Sequence, residues 1–290
     1  MMNYTIKLAT FLAFILIGIS CSDDKVDNLQ LEFTGLENVG PNYAYEGWIM
    51  VDGSPVTTGV FTVDDAGNLS QNSFDIDEDQ LERATAFILT IEPSPDNDPA
   101  PSDVHILAGD FSNENASLTV GHPAAIGHDF TSSTGAYLLA TPTDEDETNE
   151  TSGVWFVDPD KGPGPSLDLP TLPSGWAYEG WAVINDIPVS TGVFTSTSGA
   201  DDASNFSGMK SGPAFPGEDF LNNAPNGLTF PTDLRGGMIV ISVEPVPDNS
   251  ESPFTLKPLV HMTSSSAMDH SLIDMNNNAV NTNPTGMARR

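Results

Sequence analysis

Glu46 and Glu179 are the first residues whose type and setting suggest chemistry, because both stand in the same context, Tyr-Glu-Gly-Trp. Two carboxyl groups facing each other at roughly 5–10 Å can serve glycoside hydrolysis as acid and base or as acid and nucleophile. Each occurrence supplies one such Glu, so the two would have to meet across separate parts of the chain. A Glu that accepts hydrogen bonds from the backbone or an aromatic donor is the simpler reading. His122 and His128 flank the loop 123–127 and Asp129 follows, donor types that could hold a metal or a ligand. Their spacing matches no zinc motif, and ordinary loop histidines at a surface are the favoured reading. His261 and His270 do not reproduce the spacing. Asp75, Asp77 and Asp79 offer oxygen ligands for calcium, without the turn glycine and the bidentate Glu at position twelve of an EF-hand loop. Calcium is therefore the one cofactor left open. Trp48 and Trp181 could stack on sugars or fill a core, and strand aromatics supply most of the buried area of small β-domains. Tyr43 and Trp155, which the other copy does not repeat as the same residue, are the aromatic candidates for facing a ligand. Nucleophile elbow, phosphate loop and dinucleotide fingerprint are all missing, so no catalytic residue is expected.

The elements that must carry these residues are written twice. YAYEGWIMVDGSPVTTGVFT, from Tyr43 to Thr62, returns as WAYEGWAVINDIPVSTGVFT, from Trp176 to Thr195, with 12 of 20 positions identical at an offset of 133. A second block, FILTIEPSPDN from Phe87, returns as IVISVEPVPDN from Ile239 at an offset of 152. Repetition of this kind marks two copies of one folding unit. Scattered glycine and proline (25 and 23 residues) leave little room for helices. Short apolar runs separated by turn residues dominate instead, at 29–33, 45–51, 56–63, 87–92, 104–108, 136–140 and 154–157. Asp52-Gly53-Ser54-Pro55 reads as the tight turn of a hairpin. Alternation puts Glu46, Trp48 and Met50 on one face of their strand, and Tyr45, Ile49 and Val51 on the other. The expected fold is all-β: two tandem sandwich- or barrel-like domains, 29–150 and 151–290, with long Gly/Pro/Asn-rich loops and a junction within 141–157. The difference between the offsets places nineteen extra residues in the second copy, within 208–237, a surface loop with one helical turn at 218–222. The acidic stretch 144–150 reads as a solvated tip or linker, and 286–290 as a last edge strand.

Residues 1–20 have the form of a leader, with Lys7 ahead of a twelve-residue apolar run that is too short to span a bilayer. The run leads into Gly18-Ile19-Ser20-Cys21, which resembles the lipobox of bacterial lipoproteins and implies lipidation at Cys21. That residue is the only cysteine, so an intramolecular disulfide is excluded. Ser22-Asp23-Asp24-Lys25 resembles the acidic surface-export signal of Bacteroidetes lipoproteins, and 21–28 reads as an acidic tether. A location at the outer membrane or cell surface follows, with the membrane as a partner through the N-terminal lipid. With 41 Asp and Glu against 9 Lys and Arg, the formal charge is −32. Nucleic acid is excluded as a partner, since binding to it depends on Lys and Arg displacing phosphate counterions.

The order Tyr-x-Gly-Trp, Gly-x-Pro-Val-x-x-Gly-Val-Phe and an apolar strand ending in Glu-Pro resembles the extracytoplasmic C-terminal domain of anti-sigma-K factors, over about 29–140 and 167–290. That resemblance implies a binding or sensing module outside the cytoplasm and brings no catalytic residues. No sigma-binding domain or spanning helix is evident in the sequence, so direct anti-sigma activity is not expected. The expected function is that of a non-enzymatic, lipid-anchored envelope protein, binding, sensing or structural, whose partner is a protein or an envelope polymer. The alternative is a surface lipoprotein that binds or processes glycans. Exposed aromatics beside a carboxylate would favour the glycan alternative, and buried Trp48 and Trp181 the first reading.

Overall fold

The computed structural model describes residues 26–160, 162–248 and 250–290; the leader, Cys21 and residues 22–25 lie outside the described residues. It is nearly all β. The first copy contributes β1 (Val26–Thr34), β2 (Tyr43–Val51), β3 (Ser54–Phe61), β4 (Ser73–Asp77), β5 (Ala84–Pro93), β6 (His105–Ser112) and β7 (Asn115–Thr119), with helix α1 (Glu78–Arg83) between β4 and β5. The next strands are β8 (Thr134–Leu139), β9 (Gly153–Trp155), β10 (Val157–Asp158), β11 (Gly164–Pro165) and β12 (Leu167–Asp168). The second copy continues with β13 (Trp176–Ile184), β14 (Ile187–Phe194), β15 (Gly217–Asp219), β16 (Met238–Pro245), β17 (Leu259–Met262), β18 (Ile273–Asp274), β19 (Asn276–Asn277) and β20 (Thr285–Arg289). Among the described residues no helix is long and apolar enough to cross a membrane.

The repeated blocks build the same hairpins. β2 pairs with β3 and β5, and β13 with β14 and β16, all antiparallel. Both hairpins close on two residues of positive φ, Asp52 (52°) with Gly53 (81°) and Asn185 (50°) with Asp186 (65°). That geometry suits the right-handed twist of the flanking strands. Gly-Val-Phe is retained in both copies for a conformational reason. Gly59 and Gly192 sit at φ 123° and 125°, a region closed to side chains, and a Cβ on Gly59 would come within 2.9 Å of the Phe74 ring.

The terminal strands do not stay with their own copies. The first sheet has the order β3-β2-β5-β6-β7-β20-β1-β4, so the last strand of the chain lies between two strands of the first copy. In return β8, at the end of the first copy, pairs with β9, β12 and β18. Met287 faces Glu32 on one side and Ser117 on the other. The expected edge strand at 286–290 is therefore an interior strand: both of its backbone edges find partners, and Ala288 is fully buried. Arg290 fixes its end, with Nη1 donating to the carbonyls of Leu81 and Ala84 and the guanidinium 4.5 Å from the Phe111 ring centroid.

The first sheet curls until its edges approach, Phe61 of β3 meeting Phe74 just before Asp75 in β4 at a centroid distance of 6.2 Å. The second half forms two five-stranded sheets, β14-β13-β16-β17-β19 and β12-β8-β9-β15 with β18 beside β8. One apolar core runs through both copies, from Leu29 to Ala288. Trp48 packs outside it with Met50, Ile88, Ala108 and Ala125, on the face that alternation assigned to it.

Candidate functional site

Strand pairing brings together residues that are far apart in sequence. In the second copy Glu179 lies opposite Ser242 and Ala177 opposite Glu244, so the two glutamates are diagonal neighbours on one face of the β13–β16 pair. Both side chains are buried, with residue exposures of 4% and 1%. Ser190 donates its hydroxyl to Glu179 Oε1, while Ser242 Oγ and Phe254 N (2.9 Å) donate to Glu244 Oε1. Trp181 completes the chain by donating Nε1 to Ser242 Oγ at 2.8 Å. The second oxygens, Oε2 of Glu179 and Oε2 of Glu244, are buried without a hydrogen-bond partner. Asp248, on the turn that follows β16, brings a carboxylate to the same place: one oxygen from each of the three lies within 4.8 Å of the others. Burial pushes the Glu179 carboxyl up to about 7 and the Glu244 carboxyl up to about 8, and the charge of Asp248 adds to both shifts.

The first copy carries the same residues in a different state. Glu46 lies opposite Thr90 and Ala44 opposite Glu92, the register of the second copy. Thr57 donates to Glu46, and Trp48 Nε1 donates to Thr90 at 2.9 Å. Burial raises the Glu46 pKa, and Glu92 and Asp96 contribute further. Here, however, Ser102 N contacts both oxygens of Glu92, at 2.9 and 3.2 Å. Among the described residues only the second-copy set brings three such side chains to within metal-binding distance.

Asp248 also forms part of a cleft of about 270 Å³ between the copies. One wall is the segment 37–43, ending in Tyr43, and the other is Pro245–Asp248 with Ser250 and Phe254; Ile91 and Val104 also line the cleft. Thr255 ties the walls together by donating to the Gly35 carbonyl at 3.1 Å. Burial pushes the Glu37 carboxyl up to about 7 against the pull of Lys257, whose own pKa burial lowers. The cleft thus combines apolar walls with carboxylates and has an open mouth.

The other candidates are scattered. Trp155 is 5% exposed, with Nε1 donating to Asp219 Oδ1 at 2.7 Å, and so presents no ring face to a ligand. His122 Nδ1 accepts from Ala124 N at 3.1 Å, and its Nε2 lies 3.5 Å from Asp110. His128 and Asp129 are exposed, and Asp129 Oδ1 accepts from the Thr131 amide and hydroxyl, which lowers its pKa. The loop between the histidines is a cover, since Ala125 packs on Trp48 and the Ala124 carbonyl meets His105 Nδ1 at 2.9 Å. Asp77 caps α1 by accepting from Gln80 N, and Asp75 is 3.4 Å from Asn28 Nδ2; these two and Asp79 do not converge on a common point. Glu46 and Glu179 each sit beside their own copy's second Glu. The residues 218–222 contain no helical turn: Glu218 and Asp219 belong to β15, which pairs with β9, and Phe220 is fully buried.

The chain matches no protein-family model, no curated protein and no solved structure. Its site is therefore read from its own geometry. Glu37, Glu244 and Asp248 were not singled out by motif reading. The repeated Glu-Pro-x-Pro-Asp-Asn block was visible in the sequence, yet only the pairing of β13 with β16 sets its Glu and Asp beside the Glu of Tyr-Glu-Gly-Trp.

Proposed function

We propose that this protein is a non-enzymatic, extracytoplasmic binding module, held to the outer membrane or cell surface by lipid on Cys21, whose protein partner is gripped in the cleft between the two copies. The observation that carries the reading is that cleft: its walls are non-equivalent segments, 37–43 of one copy and 245–254 of the other, so the tandem arrangement makes a site that neither copy makes alone. An apolar mouth with Tyr43 and acidic groups suits a short apolar or basic element of a partner protein. The buried state of Trp48 and Trp181, 3% and 2% exposed, removes the aromatic platforms that glycan binding would use and argues against that alternative. The resemblance to the outer domains of anti-sigma-K factors agrees with a binding or sensing role without direct sigma-factor contact.

A photo-cross-linking residue placed at Tyr43 in cells displaying the full chain tests this. A single protein adduct, lost when the same residue is placed at exposed Val280, is the expected result. Adducts with polysaccharide alone would overturn the reading in favour of glycan binding. Unchanged membrane attachment in Cys21→Ala would overturn the anchoring.

A further inference from the structure

Glu179 and Glu244 are buried side by side although their strands could have carried apolar residues. Each has one oxygen satisfied by hydroxyl or amide donors and the other left bare. A buried carboxylate oxygen without a donor is costly, and a native fold normally supplies a partner. Protein donors do not fill the role here. Lys257, whose field reaches Glu244, is drawn more strongly to Glu37 and forms no ion pair with either. Beside these two buried carboxylates stands Asp248, which lines the cleft, and one carboxylate oxygen from each of the three lies within 4.8 Å of the others.

We propose that Glu179, Glu244 and Asp248 form a calcium site in the second copy. The donor set is all oxygen and all carboxylate, which selects hard cations and excludes the preference for nitrogen or sulfur shown by zinc and copper. Two oxygens bound to calcium at about 2.3–2.6 Å each can lie up to about 5 Å apart, which accommodates a set spread within 4.8 Å. Magnesium needs a tighter octahedron at about 2.0–2.1 Å and gives up its water reluctantly. Three carboxylates leave other positions of the calcium shell to water, which enters along the Asp248 side. The first copy provides an internal comparison. Glu46, Glu92 and Asp96 are the counterparts, but Ser102 N occupies both Glu92 oxygens, so the site belongs to the second copy alone. The proposal is independent of what occupies the cleft.

The test is a titration of the full-length protein, freed of metal by chelation, with calcium chloride and in parallel with terbium. Trp181 donates to Ser242, which donates to Glu244, so excitation of the indole should sensitise a terbium ion held there. The expected results are one ion per chain, a rise in the thermal midpoint of about 5 °C at saturating calcium, and terbium luminescence that falls in Trp181→Phe. The calcium shift should disappear in Glu244→Gln and weaken about tenfold in apparent affinity in Asp248→Asn, whose exposed side chain can change without disturbing the fold. Glu92→Gln should bind as the wild type does. Absence of a calcium-dependent shift, or an equal shift in Asp248→Asn, would overturn the site. Two ions per chain with one lost in Glu92→Gln would overturn its restriction to the second copy. Failure here would leave the Tyr43 cross-link intact, and loss of that cross-link would leave calcium binding intact.

Discussion

At the scale of single residues, this fold holds acids where their charge is unwelcome. Asp201 accepts from Gly217 N at 2.8 Å and Ala203 N at 3.4 Å, yet burial raises its carboxyl to about 7, with Glu218 and Asp202 adding repulsion. Because the folded pKa lies above the unfolded value near 3.8, the neutral acid favours the fold below about pH 4. That contribution is lost as pH rises through about 7. Asp201→Asn should therefore flatten the decline of stability between about pH 4 and 8: near pH 4 the variant stays within about 1 kcal/mol of the wild type, and at pH 8 it becomes the more stable of the two. Parallel thermal-midpoint curves for the two proteins across that range would contradict it. Individual acids were legible only in part. Glu46 and Glu179 stood out because their contexts repeat; the donors they meet are the Thr57 and Ser190 hydroxyls, where the sequence suggested the backbone or an aromatic donor. Their partners Glu92 and Glu244 lay in the second repeated block, but a contact 46 or 65 residues away in sequence depends on which strands pair, and periodicity says nothing about pairing.

At the scale of elements, β20 contributes more than its five residues suggest. It pairs with β1 on one side and β7 on the other, and Arg290 locks its end to the α1–β5 corner. Removing Thr285–Arg290 would leave two facing backbone edges and the pocket of Ala288 open. The expected cost is more than about 4 kcal/mol, and hydrogen exchange should show β1 and β7 losing protection while β13 and β16 keep theirs. Retained protection in β1 would refute the interior role. The strands themselves were readable, because alternation and turn residues are local: the faces of β2 divide as its sequence implies, Tyr45 and Ile49 into the main core and Trp48 under the loop. The insertion was less readable. Its Gly/Pro/Asn content suggests an exposed loop, yet Phe206, Phe220 and Phe230 form a small core with centroids 5.5–5.9 Å apart, and Asp219 is held by Trp155 and Thr143. Phe206, Trp155 and Thr143 come from outside the segment, so its own composition could not disclose them.

At the scale of the whole molecule, the exchange of β8 and β20 makes two repeats into one cooperative object. A tandem duplication ordinarily yields two units that fold alone, each with its own core and few crossing contacts. Here each unit lacks a strand that the other copy provides, and the core passes between them without a break. Phe130 meets Tyr178 edge-on at 6.5 Å, and Asn277 donates to the carbonyls of Phe130 and Ser133 across the junction. The same coupling fixes the cleft, since the walls at 37–43 and 245–254 can move apart only if these contacts break. Fragments 26–150 and 151–290, made separately, should therefore lack cooperative unfolding, and mixing them should restore one transition together with dispersed aromatic signals in NMR. The intact chain should unfold in a single step, with the calorimetric and van't Hoff enthalpies agreeing. Two resolved transitions in the intact chain, or an independently folded 26–150, would show that the strand exchange does not bind the copies into one unit; the cleft would then be free to open as the copies rotate.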